Sequence, residues 1–323
     1  MIKNQTITDD YALYNADCMD VIAEMDDASI DLSVYSPPFA GLYNYSSDPN
    51  DFSNCATKEE FLEQYDFLIK EMARITKPGR ITAVHCTDVI SGGGNFLWDF
   101  PHEIIKLHEK YGFKYRNKIT IWKEPLQVRI RTMVRSLMHK LIVEDSTECF
   151  PAMPDYMLIF KRIGKNKVPV EHKKGFTKYA GAHFLLPEMV SKYGSYEDMK
   201  KKYANWEDPR TNKLSHIIWQ RYASSVWDDI RIKNILPFRE SKEDDDEKHV
   251  HPLQLDVIER CVDLWSNEGE VVFTPFMGVG SEVFGAVKNN RFGIGVELKT
   301  SYYKQAIMNL QHVNKDIEQE SLF

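Results

Sequence analysis

Tyr35-Ser36-Pro37-Pro38-Phe39 directly follows the predicted strand Ile30-Asp31-Leu32-Ser33-Val34. Ser-Pro-Pro is common turn punctuation, because proline fixes φ and suits turn positions. The same residues also suit one demanding reaction. An exocyclic amine on a nucleobase is a poor nucleophile, since its lone pair is conjugated into the ring. Two acceptors holding its two N–H groups favour the pyramidal form that attacks a methyl sulfonium. Proline lacks an N–H and stiffens the backbone while still offering its carbonyl. Ser36 Oγ and the Pro37 carbonyl are therefore the candidate acceptors, held by Pro37 and Pro38. Phe39 would stack on a base flipped out of a duplex to reach this pocket.

A second constellation is Phe273-Thr274-Pro275-Phe276-Met277-Gly278-Val279-Gly280-Ser281-Glu282. It follows the apolar run Glu270-Val271-Val272-Phe273 and opens a predicted helix. Glycines at a strand-to-helix turn let backbone approach a ligand, and the crevice at strand C-termini is where open α/β sheets bind cofactors. The dinucleotide fingerprint GxGxxG fails, because Val283 stands at its third glycine position. Glu297 ends the next predicted strand, where a carboxylate can accept hydrogen bonds from ribose hydroxyls. Glu282, in the first turn of the helix, suits the helix dipole.

The elements that must position these residues alternate. Strands are predicted at Ile30–Tyr35, Ile81–Val84, Ile119–Trp122 and Tyr156–Phe160, the last closing a βαβ-like half. A helix is predicted over roughly 58–75, where Phe61, Tyr65, Leu68, Ile69 and Met72 recur at helical spacing. Lys77-Pro78-Gly79 should stop it. Another helix is expected from Ile104 to Tyr111. A second regular stretch begins with a helix opening at Pro252 and running to about Trp265. It continues with a strand at Glu270–Phe273, a helix to about Asn289 and a strand at Phe292–Val296. This alternation predicts a doubly wound α/β, Rossmann-like, mostly parallel sheet. Between the halves the pattern degrades, with candidate helices at Tyr196–Tyr203 and Leu214–Tyr222. The acidic run Glu243–Glu247 reads as an exposed loop or hinge.

With 43% hydrophobic and 28% charged residues, the chain is compositionally globular. No apolar run is long enough for a transmembrane helix. Met1-Ile2-Lys3-Asn4-Gln5 has no apolar stretch, so no secretory leader and a cytoplasmic location are expected. Cys18, Cys55, Cys86, Cys149 and Cys261 are scattered without a CxxC pair, which points to free thiols. His249 and His251 form an HxH without an evident third ligand, so no metal is expected.

The net charge of −7 hides an uneven distribution. Residues 1–122 carry 11 basic and 19 acidic side chains, residues 123–220 carry 18 and 11, and residues 221–323 carry 12 and 18. A basic middle between acidic flanks permits an inserted nucleic-acid-binding segment, and equally a solvated lysine-rich surface. Arg129, Arg131, Arg135 and Lys140 are candidate phosphate contacts after Trp122. Tyr43 and Tyr45 follow the tetrad and either line the base pocket or belong to an ordinary loop.

Together these motifs resemble the DNA amino-methyltransferases that act on N6 of adenine or N4 of cytosine. The resemblance is carried by Ser36–Phe39, Phe276–Gly280 and Gly293–Glu297, and covers both regular halves, about two-thirds of the chain. Asn15-Ala16-Asp17-Cys18, Ile121-Trp122-Lys123 and His251-Pro252 support it. Tetrad first and glycine loop last matches the β-type order, and the wording is similar to that of phage and prophage methylases. The resemblance implies S-adenosyl-L-methionine as cofactor, bound by Asp17, Cys18, His251, Pro252, Thr274, Pro275, Phe276, Gly278, Gly280, Ser281 and Glu297. Asp17 would lie by the adenine end and the helix after His251-Pro252 by the methionine end. Residues 1–162 would form the catalytic half, 163–247 a target recognition insert and 248–323 the cofactor-binding half. Double-stranded DNA is the implied partner, with a homodimer and a cognate restriction enzyme left open.

Members usually carry Asp where Thr274 stands, and Gly-Ser-Gly-Thr-Thr where this chain has Gly278–Glu282. Serine at the head of the tetrad leans towards cytosine N4, with adenine N6 close behind. Cytosine C5 chemistry uses a cysteine nucleophile, typically after proline, and no cysteine here follows proline. An RNA or protein amide methyltransferase is the first alternative, although such enzymes usually place the glycine motif before the tetrad. The second is an inactive DNA-binding relative, for which Thr274 is the hint.

Overall fold

The structure is a computed structural model that describes residues 2–38, 55, 57–91, 96–132, 137–149, 152–241, 252–311 and 313. The hairpin β1 (Asn4–Ile7) and β2 (Tyr11–Asn15) leads into α1 (Cys18–Ala23), β3 (Ile30–Tyr35), α2 (Lys58–Ile75) and β4 (Thr76–Cys86). A small hairpin, β5 (Val89–Ser91) and β6 (Phe96–Trp98), precedes α3 (Phe100–Lys110) and β7 (Phe113–Ile121). Then come α4 (Pro125–Thr132), α5 (His139–Glu144) and β8 (Asp155–Arg162). Three helices, α6 (Pro187–Tyr193), α7 (Tyr196–Tyr203) and α8 (Lys213–Tyr222), are followed by β9 (Val226–Trp227). The last elements are α9 (Leu255–Trp265), β10 (Val271–Thr274), α10 (Ser281–Lys288), β11 (Phe292–Glu297) and α11 (Thr300–Leu310).

Among the described residues the main sheet has the order β1-β2-β11-β10-β3-β4-β8-β7-β9. Strands β2, β11, β10, β3 and β4 run parallel, so their C-terminal ends share one edge. All six residues of β3 are buried, as expected for a central parallel strand covered on both faces. One face is covered by α9, α10 and α11 and the other by α1, α2 and α3.

The expected closing βαβ unit is corrected here. Strand β8 is antiparallel to both β4 and β7. Its N-terminus, not its C-terminus, therefore lies at the edge where β3 and β4 end. The stop at Lys77-Pro78-Gly79 also moves. Thr76 Oγ1 donates to the Met72 carbonyl at 2.6 Å and the helix ends at Ile75. Strand β4 then passes through Pro78 and Gly79 with a register shift against β3, since proline cannot donate to a ladder. Pro252 does not open its helix either, because Gln254 is the extended N-cap and α9 starts at Leu255.

Residues 163–247 hold their own apolar cluster, with Phe176, Phe184, Met199, Leu214, Ile217, Ile218 and Tyr222 buried together. They also join the main body. Trp227 of β9 lies in the main core, and the fully buried Arg260 of α9 donates to Asp229 at 2.8 Å and to the Ala180 carbonyl at 2.8 Å.

Candidate active site

Sheet register brings the two motifs side by side. Val272 and Phe273 of β10 pair with Leu32 and Ser33 of β3, so the residues beyond both strands emerge as neighbours. The Tyr35 and Phe276 rings meet at 6.1 Å with a 60° tilt. Behind them Tyr35 is fully buried against Tyr65, with 3.1 Å between the hydroxyls. Burial pushes the Tyr35 phenol well above its ordinary value, so it stays neutral.

Ser36 is half-buried and Pro37 buried. Ser36 Oγ lies 2.9 Å from His85 Nδ1 and 3.3 Å from the His85 carbonyl. His85 Nε2 lies 2.9 Å from Asp155 Oδ2, which also receives Lys123 Nζ at 2.6 Å. The side chains of His85, Asp155 and Lys123 are each a tenth exposed or less. Neither His85 nor Asp155 was a sequence candidate. His85 directly follows the predicted strand Ile81–Val84 and lies one residue before the end of β4, a position that sequence reading could have singled out. Asp155 could not have been, because its place depends on β8 running antiparallel.

On the loop side, Gly278 N donates to Glu297 Oε2 and Lys299 N to Glu297 Oε1, both at 2.8 Å. Glu297 thus holds the loop in place, and a carboxylate offering about four lone-pair sites keeps acceptor capacity for a ribose. Asn15 Nδ2 donates to the Glu297 carbonyl at 2.8 Å and ties the end of β2 to the end of β11. Asp17 caps α1 by accepting from Met19 N at 2.9 Å. Cys18 is buried and its thiol is pushed far up by burial, so it is no nucleophile. Pro275 and Phe276 continue from β10, and Pro252 lies three residues before α9.

A bound methyl donor can be tested against three observations at this loop. Gly278 has φ +54° and nothing within 4 Å of where a Cβ would stand, which leaves its backbone open to close approach. Thr274 Oγ1 and Ser281 Oγ are buried with no hydrogen-bond partner among the described residues. Gly280 adopts φ +93° and N-caps α10. These features fit a polar ligand lying across the loop. Glu282 departs from the expected dipole role. Burial, reinforced by the Glu297 charge, pushes its carboxyl up to about 8, so at neutral pH it is largely uncharged.

Of the basic candidates, Arg129 is half-buried in α4, and Lys140 is exposed in α5, 3.4 Å from Glu144. The Arg131 side chain, Phe39, Tyr43, Tyr45, Arg135, the acidic run 243–247, His249 and His251 lie outside the described residues. No helix among the described residues is long and apolar enough to cross a membrane.

A family model described as DNA methylase, of the N6/N4 class, matches residues 30–308. The chain belongs to this DNA methylase family. It is 26% identical over 293 residues to the type II methyltransferase M.BglII of Bacillus subtilis, covering 90% of this chain and 66% of that protein. It is 26% identical over 305 residues to M.BamHI of Bacillus amyloliquefaciens, covering 92% of this chain and 56% of that protein. This methylase chain thus spans less than two-thirds of the length of either relative. Its fold is shared with PvuII DNA methyltransferase (cytosine-N4-specific), at TM-score 0.60 and 12% identity over 99% of this chain and 96% of that one. It is also shared with a Thermus thermophilus protein solved in complex with S-adenosyl-L-methionine, at TM-score 0.58 and 20% identity, covering 93% and 95%.

Proposed function

We propose that this chain transfers a methyl group from S-adenosylmethionine to an exocyclic amino nitrogen of a base in DNA, N4 of cytosine in preference to N6 of adenine. The observation that carries the reading is the adjacency of β3 and β10. It sets the Tyr35-Ser36 end of β3 next to Phe276, at the head of the glycine loop, on the same sheet edge. When bound, the cofactor supplies an electrophilic methyl group on sulfur. Gly278 admits it against bare backbone, Gly280 turns the loop into α10 at φ +93° against Ala306, the Thr274 and Ser281 hydroxyls supply polar contacts, and Asp17 and Glu297 flank the nucleoside end. Cys18, Pro275 and Phe276 complete the loop-side wall, and His251 and Pro252 border the methionine end.

Ser36 Oγ and the Pro37 carbonyl hold the two N–H groups of the target amine, while Pro38 stiffens the turn and Phe39 stacks on the flipped base. Residues 163–247 form the recognition region between halves 1–162 and 248–323. Arg129, Arg131, Arg135 and Lys140 serve as phosphate contacts on double-stranded DNA. A cognate restriction enzyme fits the type II names of M.BglII and M.BamHI, and the site of action is the cytoplasm.

The test is mass spectrometry of nucleosides from DNA incubated with the protein and S-adenosylmethionine, with Ser36→Ala as control. N4-methylcytosine that disappears in the control is the expected result. N6-methyladenine would replace the base assignment, and the absence of any modified nucleoside would sink the reading.

A further inference from the structure

We infer that His85, held by Asp155, is a positioning residue that orients the Ser36 hydroxyl and takes up the proton the methylated nitrogen sheds. This rests on the amino-methyltransferase reading above.

The tautomer follows from the contacts. Asp155 Oδ2 is 2.9 Å from His85 Nε2. Two bare acceptors would repel at that distance, so Nε2 carries a hydrogen and donates it. In a neutral imidazole the other nitrogen is then an acceptor. Nδ1 lies 2.9 Å from Ser36 Oγ, closer than the His85 carbonyl at 3.3 Å, so the serine donates its single hydrogen to Nδ1. Its lone pairs are left to receive an amine N–H.

A buried carboxylate needs partners, and Lys123 Nζ at 2.6 Å already supplies one. The imidazole is not needed for charge balance. It links the carboxylate to the head of the tetrad through two hydrogen bonds.

The proton balance closes along this line. As the N–C bond forms, the methyl–sulfur bond of the donor breaks with its electron pair going to sulfur, and the positive charge passes from sulfur to the nitrogen. One N–H bond then breaks with its electron pair staying on nitrogen. That proton goes to Ser36 Oγ, and the proton already on Ser36 passes to His85 Nδ1. The imidazolium is held against the Asp155 carboxylate until Nδ1 releases its proton to solvent, which restores the starting state.

The test has two arms. In ligand-free protein with ¹⁵N-labelled histidine, the imidazole resonances lost in His85→Asn should report a protonated Nε2 and a bare Nδ1. In single-turnover assays on DNA, His85→Asn keeps an amide oxygen for the Ser36 hydroxyl but cannot take a proton. Its methyl-transfer rate should fall on the order of 10²-fold, while dissociation constants for DNA and S-adenosylmethionine stay unchanged. A protonated Nδ1, or transfer by His85→Asn at the wild-type rate, overturns the inference. So does a loss explained by weaker binding alone, which would make His85 a scaffold residue. The wild-type tautomer keeps the inference testable if the variant does not fold. Wild-type protein that transfers nothing overturns the amino-methyltransferase reading and the relay with it, whereas wild-type transfer with an unimpaired variant overturns the relay alone.

Discussion

The tetrad side and the glycine-loop side of the sheet edge differ in how far the chain satisfies its own polar groups. On the tetrad side, Ser36, His85, Asp155 and Lys123 form a continuous chain of contacts at 2.9, 2.9 and 2.6 Å. On the loop side, Thr274 Oγ1 and Ser281 Oγ are buried without partners among the described residues; Ser33 Oγ and Thr82 Oγ1 are too, but they lie inside β3 and β4 and not at the strand ends. Each such group costs about 1–3 kcal/mol when left unpaired. The first side is thus organised before any ligand arrives, whereas the second has the character of a surface that a ligand completes. The tetrad side should therefore fail when a charge is removed. The loop side should respond to charge in the opposite sense and fail when atoms are added.

The largest effect is expected from Asp155→Ala. It leaves the Lys123 ammonium buried without its carboxylate and His85 without its acceptor. Removing one partner of a buried pair typically costs about 3–5 kcal/mol, readable as a lower urea midpoint. A loss below about 1 kcal/mol would place the pair in the class of exposed ion pairs and break the contrast. Glu282→Gln should do the reverse. Its carboxyl is raised from 4.5 to about 8, so the folded state holds a proton that the unfolded chain releases. Stability on this account is highest below pH 4.5 and is lost progressively as pH rises towards 8. A shift of that size corresponds to about 5 kcal/mol at most. The glutamine variant should be more stable than the wild type at pH 8 and close to it at pH 4.5. Parallel stability curves across that range would show that Glu282 is not buried as a neutral acid.

The same contrast explains what the sequence could reveal. Helix α2 was legible almost to the residue, because Phe61, Tyr65, Leu68, Ile69 and Met72 form one buried stripe. Strand β3 was legible as a strand, although Asp31 and Ser33 alternating with Ile30, Leu32 and Val34 gave no sign that both faces are buried. The glycine loop was legible because Gly278 and Gly280 sit between a strand and a helix, a local pattern. The hydrogen-bonded line behind Ser36 was not. It joins residues 49 and then 70 positions apart, and it exists only because β8 enters the sheet antiparallel. Sequence periodicity carries no information on strand direction. Hairpin β1–β2 was missed for another reason. Asn4–Ile7 is largely exposed and only four residues long, so it carries no apolar alternation to detect.

The two remaining tests add atoms to the loop side. At Gly295 an added Cβ would stand 2.5 Å from Met277 Sδ and 2.8 Å from Val283 Cγ2. Gly295→Ala should cost about 1–3 kcal/mol through overpacking, measured by thermal or urea unfolding. Gly278→Ala meets no neighbour at all, so its cost is only that of a side chain at φ +54°, about 1–2 kcal/mol. Its effect should appear in binding instead. A methyl group there occupies the open face of the loop, and the affinity for S-adenosylmethionine should fall by about tenfold or more, equivalent to roughly 1.4 kcal/mol. Calorimetric titration at a temperature where both proteins are folded separates the two effects. Unchanged affinity would mean that the space above Gly278 is not where a ligand lies, and the loop side would then have to be completed by contacts from Ser281 and Thr274 alone.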